Sequence, residues 1–252
     1  MPKTRGLTHI APSFDPRRLR LVVFDVVGTT VRDGAAGSSH IARAFLDTFR
    51  EDGLALADAD VAACRGLDKR EAVERLLRGH ASGEGAGFEA RVDRLTDSLL
   101  ARIANGMHDA REIEGASDTF AFLQRRRIRV AVGSGLPQAL TELLAVRLGW
   151  LERGLVDFVT SAEAAGAGRP DPAMIRSAMA HAGVADPRTV LKVGDTVVDI
   201  EEGRNAGAWT AAVLTGSQSR SLLQSAGPDL IVKSVAALPH VFDDPEPLDR
   251  ER

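Results

Sequence analysis

Short apolar runs alternating with helical patterns dominate the second half of this chain. Runs at 128–132, 156–160, 190–193, 210–214 and 230–232 read as strands, and helical patterns at 137–148, 172–182 and 199–206 lie between them. Strands that alternate with helices predict a parallel sheet covered on both faces. A further apolar run, 21–27, stands about a hundred residues upstream of the others. The interval between has no strand pattern. It reads as helices at 39–51, 59–63, 69–78 and 88–105, broken by Gly-rich joints such as 80–87. Ile41, Phe45 and Phe49 recur at i, i+4, i+8, the spacing of one apolar helix face.

The predicted class is therefore α/β: a doubly wound parallel sheet with a helical cap domain inserted after the first strand. The core is expected over 20–32 and 107–243 and the cap over 33–106. The polar, Pro-punctuated residues 1–19 are expected to be a flexible extension, and the charged residues 244–252 a flexible tail.

Composition narrows the partners. A net charge of −3 gives no global basic field to recruit nucleic acid or an anionic membrane surface. No apolar run approaches the roughly 18–20 residues that span a bilayer. The N-terminus lacks the apolar stretch of a secretory signal, so the expected location is the cytoplasm. A lone Cys64 excludes an intramolecular disulfide framework and any Cys-based zinc site. His40, His80, His108 and His181 share no metal-ligand spacing, and Gly133-Ser134-Gly135 is not framed as a dinucleotide fingerprint. A homodimer is compatible with the sequence.

Four segments carry candidate chemistry, each at or just after the C-terminal end of a predicted strand. That edge is where open α/β sheets build their sites, with loop amides and helix N-termini facing an anion. Asp25 closes the first strand, and Gly28-Thr29 turns the chain after it. Ser134 ends the run Val130-Ala131-Val132-Gly133. Arg169 precedes Pro170-Asp171-Pro172, where a helix starts. Asp195 and Asp199 flank a strand-to-helix junction; two repelling carboxylates there fit a hard cation, and Mg2+ takes one or two carboxylates with waters and phosphate oxygens. Taken singly, Asp25 reads more readily as a cap or turn residue and Arg169 as a surface side chain, while Asp199 also fits a helix N-cap, a reading that does not explain Asp195.

Together, and in this order, the four segments resemble the four motifs of the haloacid dehalogenase (HAD) superfamily. The resemblance implies that Asp25 is a nucleophile forming an aspartyl-phosphate. Ser134 would then bind a phosphoryl oxygen, as would Gly28, Thr29 and Gly135 around it, and Arg169 would neutralise the transition state. Asp25, the Val27 carbonyl, Asp195 and Asp199 would hold Mg2+. Most phosphatases of the superfamily carry a second Asp, as general acid and base, where this chain has Val27.

Within the superfamily, Gly28-Thr29-Thr30-Val31, Gly168-Arg169-Pro170 with Pro172, and the stretch from Val193 to Thr210 look most like the phosphonatase group, the phosphonoacetaldehyde hydrolases and their relatives. There a cap lysine forms a Schiff base with an aldehyde, which removes the need for an acid at the leaving group. Gly66-Leu67-Asp68-Lys69 matches that lysine's spacing. The chain departs from the group at Arg65, Ala72 and Leu136, where the group has Met, His and Tyr. Arg65 would suit a carboxylate or second phosphate on the substrate. The resemblance thus implies an enzyme acting on a small phosphonate or phosphorylated metabolite. Phosphomonoester hydrolysis and a silent ligand-binding module are the alternatives.

Overall fold

A computed structural model describes residues 7–34, 38–80, 85 and 87–242; the tail predicted at 244–252 lies outside them. Seven strands form one sheet in the order β1-β7-β6-β5-β2-β3-β4. They are β1 (Leu7–Ile10), β2 (Leu21–Asp25), β3 (Arg129–Ser134), β4 (Phe158–Ser161), β5 (Val190–Gly194), β6 (Trp209–Val213) and β7 (Leu230–Val232). All neighbours are parallel except β1, which runs antiparallel to β7.

Strand order explains where a site can form. From β2 the chain continues to β3 and β4 on one side, then crosses back to place β5, β6 and β7 on the other. The reversal lies between β2 and β5, so a crevice opens at their C-terminal ends. Asp25 and Asp195 stand at that crevice.

Both faces of β2 are buried, as its unbroken apolar run requires. Val22 and Phe24 join the core that includes Phe120 and Leu123 of α5 (Ala116–Arg125). Leu21 and Val23 face the other way, against Ile175 and Ala178 of the helix Ala173–Ala182. Phe24, Phe120 and Trp150 stack edge to face, with centroids 5.0 and 5.2 Å apart.

The insert between β2 and β3 contains α1 (His40–Glu51), α2 (Asp58–Ala63), α3 (Lys69–His80) and α4 (Phe88–Gly106). Ser39 caps α1 by accepting a bond from the Ala42 amide, and Ile41, Phe45 and Phe49 are buried along one face. The two segments joining insert to core run side by side: the Arg32 amide donates to the Arg111 carbonyl and the Ile113 amide to Thr30.

Two expectations need correction. Residues 7–19 are not a loose extension, because β1 closes the sheet edge and Phe14 packs edge to face on Trp209 at 5.4 Å. A four-residue edge strand offers too short an alternation to stand out between prolines. The first strand also ends at Asp25, two residues before the apolar run does, because the Thr30 and Val31 amides turn back onto the Val26 carbonyl.

Candidate active site

The turn after β2 is built for close approach. Gly28 has φ +99°, and a Cβ there would lie 2.5 Å from Asp195 Oδ2. Thr30 Oγ1 donates to the Asp25 and Val26 carbonyls, which fixes the loop beneath Asp25. Thr29 Oγ1 donates to Asp195 Oδ1 at 2.9 Å. The hydroxyl expected on a substrate is thus already committed to holding an acidic side chain.

Arg169 is fully enclosed and binds three carboxylates. Its Nη2 lies 2.7 Å from Asp25 Oδ1, its Nη1 3.0 Å from Asp199 Oδ1 and its Nε 3.4 Å from Glu202 Oε2. Lys192 completes the network, 3.1 Å from Asp199 and 2.8 Å from Glu202. Asp199 is not the N-cap of the helix Val197–Ala206. Thr196 is, and Asp199, at the third helical position, accepts a bond from the Thr196 amide at 3.1 Å.

The electrostatics call for a cation. Asp25, Asp195 and Asp199 each offer an oxygen within 4.8 Å of the others. Asp25, Asp195, Asp199 and Glu202 face only two buried cations in this network, Arg169 and Lys192. Burial, with the charges of Asp25 and Asp199, pushes Asp195 up to about 8. Burial also raises Asp25, against the pull of Arg169. Burial opposes ionisation of Asp199 too, but Arg169, Lys192 and Thr196 outweigh it and hold this group below the usual carboxylate value. Asp195 Oδ2 is buried without a hydrogen-bond partner. An orphaned carboxylate oxygen beside two more carboxylates fits a divalent metal ion.

Above this cluster the insert closes a cavity of about 40 Å3. Asp25, Ser134 and Arg169 line its core side, together with Val27. Lys69 lines the insert side; it is 8% exposed, and its Nζ donates to the Leu67 carbonyl at 2.9 Å. Burial first, and the charge of Arg65 next, pull the Lys69 ammonium down to about 8. Glycines let the loop before Lys69 settle. A Cβ at Gly135 would lie 2.6 Å from the Leu67 carbonyl oxygen, and one at Gly66 would meet Val198 at 2.5 Å. Gly135 therefore makes room for the insert. Arg65 also reaches the cavity, but its guanidinium is bound to Asp33 at 2.5 Å and to Ser39 at 3.0 Å.

The family model for haloacid dehalogenase-like hydrolases matches residues 19–207, which include every one of these groups. The chain belongs to the haloacid dehalogenase-like hydrolases. Within them it is phosphonatase-like: it is 30% identical over 217 residues to the phosphonoacetaldehyde hydrolase of Hahella chejuensis, covering 82% of this chain and 71% of that one. The phosphonoacetaldehyde hydrolase of Bacillus cereus strain AH187 is 28% identical over 217 residues, covering 81% and 79%. Among solved structures, a phosphonoacetaldehyde hydrolase-like protein from Oleispira antarctica superposes with a TM-score of 0.77 at 23% identity, covering 94% of this chain and 96% of the other. A β-phosphoglucomutase from Clostridium difficile has the same fold at 14% identity, with a TM-score of 0.69 and 89% and 97% coverage. This HAD hydrolase is an enzyme of the phosphatase or phosphonatase kind. No helix among the described residues is long and apolar enough to cross a membrane.

Sequence reasoning missed Lys192, Glu202 and Gly216. Lys192 was visible as the one charge inside the apolar β5 run, and Glu202 as the carboxylate three residues after Asp199 on the same helix face. Gly216 gave no signal. A Cβ there would stand 1.8 Å from Asp195 Oδ2, so only tertiary contact explains it.

Proposed function

We propose that this HAD hydrolase cleaves the C–P bond of a small carbonyl phosphonate with Mg2+, through an aspartyl-phosphate on Asp25. One observation carries the choice of bond: Val27 stands in the cavity where an acid would serve a leaving oxygen, while the buried amine of Lys69 opens onto the same space. Lys69 has no carboxylate partner among the described residues, and its pKa of about 8 leaves a useful fraction neutral near pH 7.5.

In this reading the Lys69 amine adds to the substrate carbonyl and water leaves, giving a protonated imine. Asp25 attacks phosphorus. The C–P electron pair passes into the carbon chain and neutralises the imine nitrogen, so the leaving group is an enamine. Water then hydrolyses the aspartyl-phosphate to phosphate. The enamine carbon takes a proton, and a second hydrolysis frees the carbonyl product and Lys69. Arg169 and Ser134 face the phosphoryl oxygens, where neutralising charge lowers the barrier most. Asp25, Asp195, Asp199 and the Val27 carbonyl would hold Mg2+, which would supply further positive charge against those oxygens.

Phosphomonoester hydrolysis would need a general acid, whose loss costs about 10²–10⁴ in rate. The test is borohydride reduction during turnover of a carbonyl phosphonate, read by mass spectrometry of the Lys69 peptide. A reduced adduct on Lys69, and loss of phosphate release in Asp25→Ala, are expected. Hydrolysis with Lys69 unmodified would remove the imine. A Val27→Asp enzyme that gains phosphomonoesterase activity would point to an altered phosphatase.

A further inference from the structure

The last described residues run beside α5 in its own direction. A Cβ at Gly115, just before α5, would lie 2.5 Å from the Ala236 Cβ, and Thr119 Oγ1 donates to the Val235 carbonyl at 3.0 Å. At the other end the Phe122 and Phe242 rings pack edge to face at 5.3 Å. The Arg126 guanidinium covers both, 4.1 Å from the Phe122 centroid and 5.6 Å from that of Phe242. Phe242 thus stands at the C-terminal end of α5, beside Arg125, Arg126 and Arg127, all three exposed. β3 starts just after them, so the cluster lies at the sheet edge opposite the active site.

These arginines have no carboxylate to answer them. Asp157 pairs with Arg129 at 2.6 Å, and among the described residues Arg125, Arg126 and Arg127 form no ion pair. A helix dipole favours cations at this end, but it does not ask for one at Arg127. That residue has φ +59°, in a turn closed by the Arg127 amide on the Gln124 carbonyl at 2.9 Å and the Ile128 amide on Leu123 at 3.0 Å. Glycine closes such a turn with the least strain.

We propose that residues 243–251 dock on Arg125, Arg126 and Arg127 and close this cluster to outside polyanions. In residues 243–252, Asp243, Asp244, Glu246, Asp249 and Glu251 outnumber Arg250 and Arg252. Asp244 is two residues past Phe242, a span of about 7 Å at full extension, so the first carboxylates reach the cluster directly. A single exposed ion pair contributes little. Here the carboxylates are tethered beside three cations, at an effective concentration in the millimolar range, which an outside partner would have to exceed.

Cys64 is the one cysteine and it is buried, so a spin label on Leu248→Cys reports this segment alone. In the full chain at about 10 mM salt, where the Debye length is roughly 30 Å, most of the spectrum is expected to be immobilised. At about 1 M salt, where that length is roughly 3 Å, the immobilised component should fall by roughly threefold or more. Arg125→Gln with Arg127→Gly, which keeps the left-handed turn, should produce the same fall at low salt. So should Asp243→Asn, Asp244→Asn and Glu246→Gln together. A mobile label at low salt overturns the proposal, and that measurement needs no charge variant to fold. An immobilised component indifferent to salt, or one that survives the arginine variant, also overturns it. Retention of the wild-type protein on heparin through these arginines would overturn it in favour of an outside polyanion.

Discussion

At the scale of single residues, charges are balanced by burial rather than by count. Lys192 and Glu202 touch no reacting atom in the proposed chemistry, yet they fix Arg169 and Asp199 from behind. Removing one partner of a buried network leaves uncompensated charge, which typically costs about 3–5 kcal/mol. Lys192→Met should therefore lower the unfolding free energy by about 3 kcal/mol, measured by denaturant titration; a loss under 1 kcal/mol would mean that the pair is not structural. Asp195 gives a pH prediction. Its folded pKa stands at about 8 without metal, so it holds a proton below that pH and metal must displace it. Metal binding at pH 7 should release roughly one proton. The apparent affinity should rise with pH and level off above about 8. Calorimetry in buffers of different ionisation enthalpy measures both; pH-independent affinity between 6 and 8 would contradict the raised value.

At the scale of elements, the strands that carry the motifs were legible and the joints were not. The runs at β2, β3, β5 and β7 announce buried parallel strands, because burial on both faces demands mostly apolar residues, with Arg129 and Lys192 the charges inside β3 and β5. The helices of the insert were legible from a period near 3.6, as at Ile41, Phe45 and Phe49. β1 was hidden, because so short a stretch shows no clear period. Where elements meet, glycines decide. Gly135→Ala would force the Leu67 carbonyl to move, displacing the loop that carries Lys69. Misplacing a reacting group by such a distance is expected to cut kcat/KM by roughly tenfold to a hundredfold, with little change in Tm. A fall in Tm with kcat/KM intact would show that the loop docking is dispensable.

At the scale of the whole molecule, the helical insert and the sheet meet over a buried charge cluster that could hold a cation. A divalent ion that binds only the folded state should stabilise it by about 2.7 kcal/mol at a hundred times Kd. Mg2+ should raise Tm and a chelator should reverse the rise; an unchanged Tm would argue that the acidic trio holds no metal. By itself the sequence determined the α/β class and the helices between the first two long strands, and it put Asp25, Ser134, Arg169, Asp195 and Asp199 at the ends of strands or just after them. It could do so because strand periodicity and motif spacing are local properties. Tertiary structure alone decided that Thr29 serves Asp195, that Gly216 and Gly135 are spacers, and that Arg65 is neutralised by Asp33, thirty-two residues away. Charge and close packing depend on which side chains the fold brings together, and that pairing has no period in the sequence.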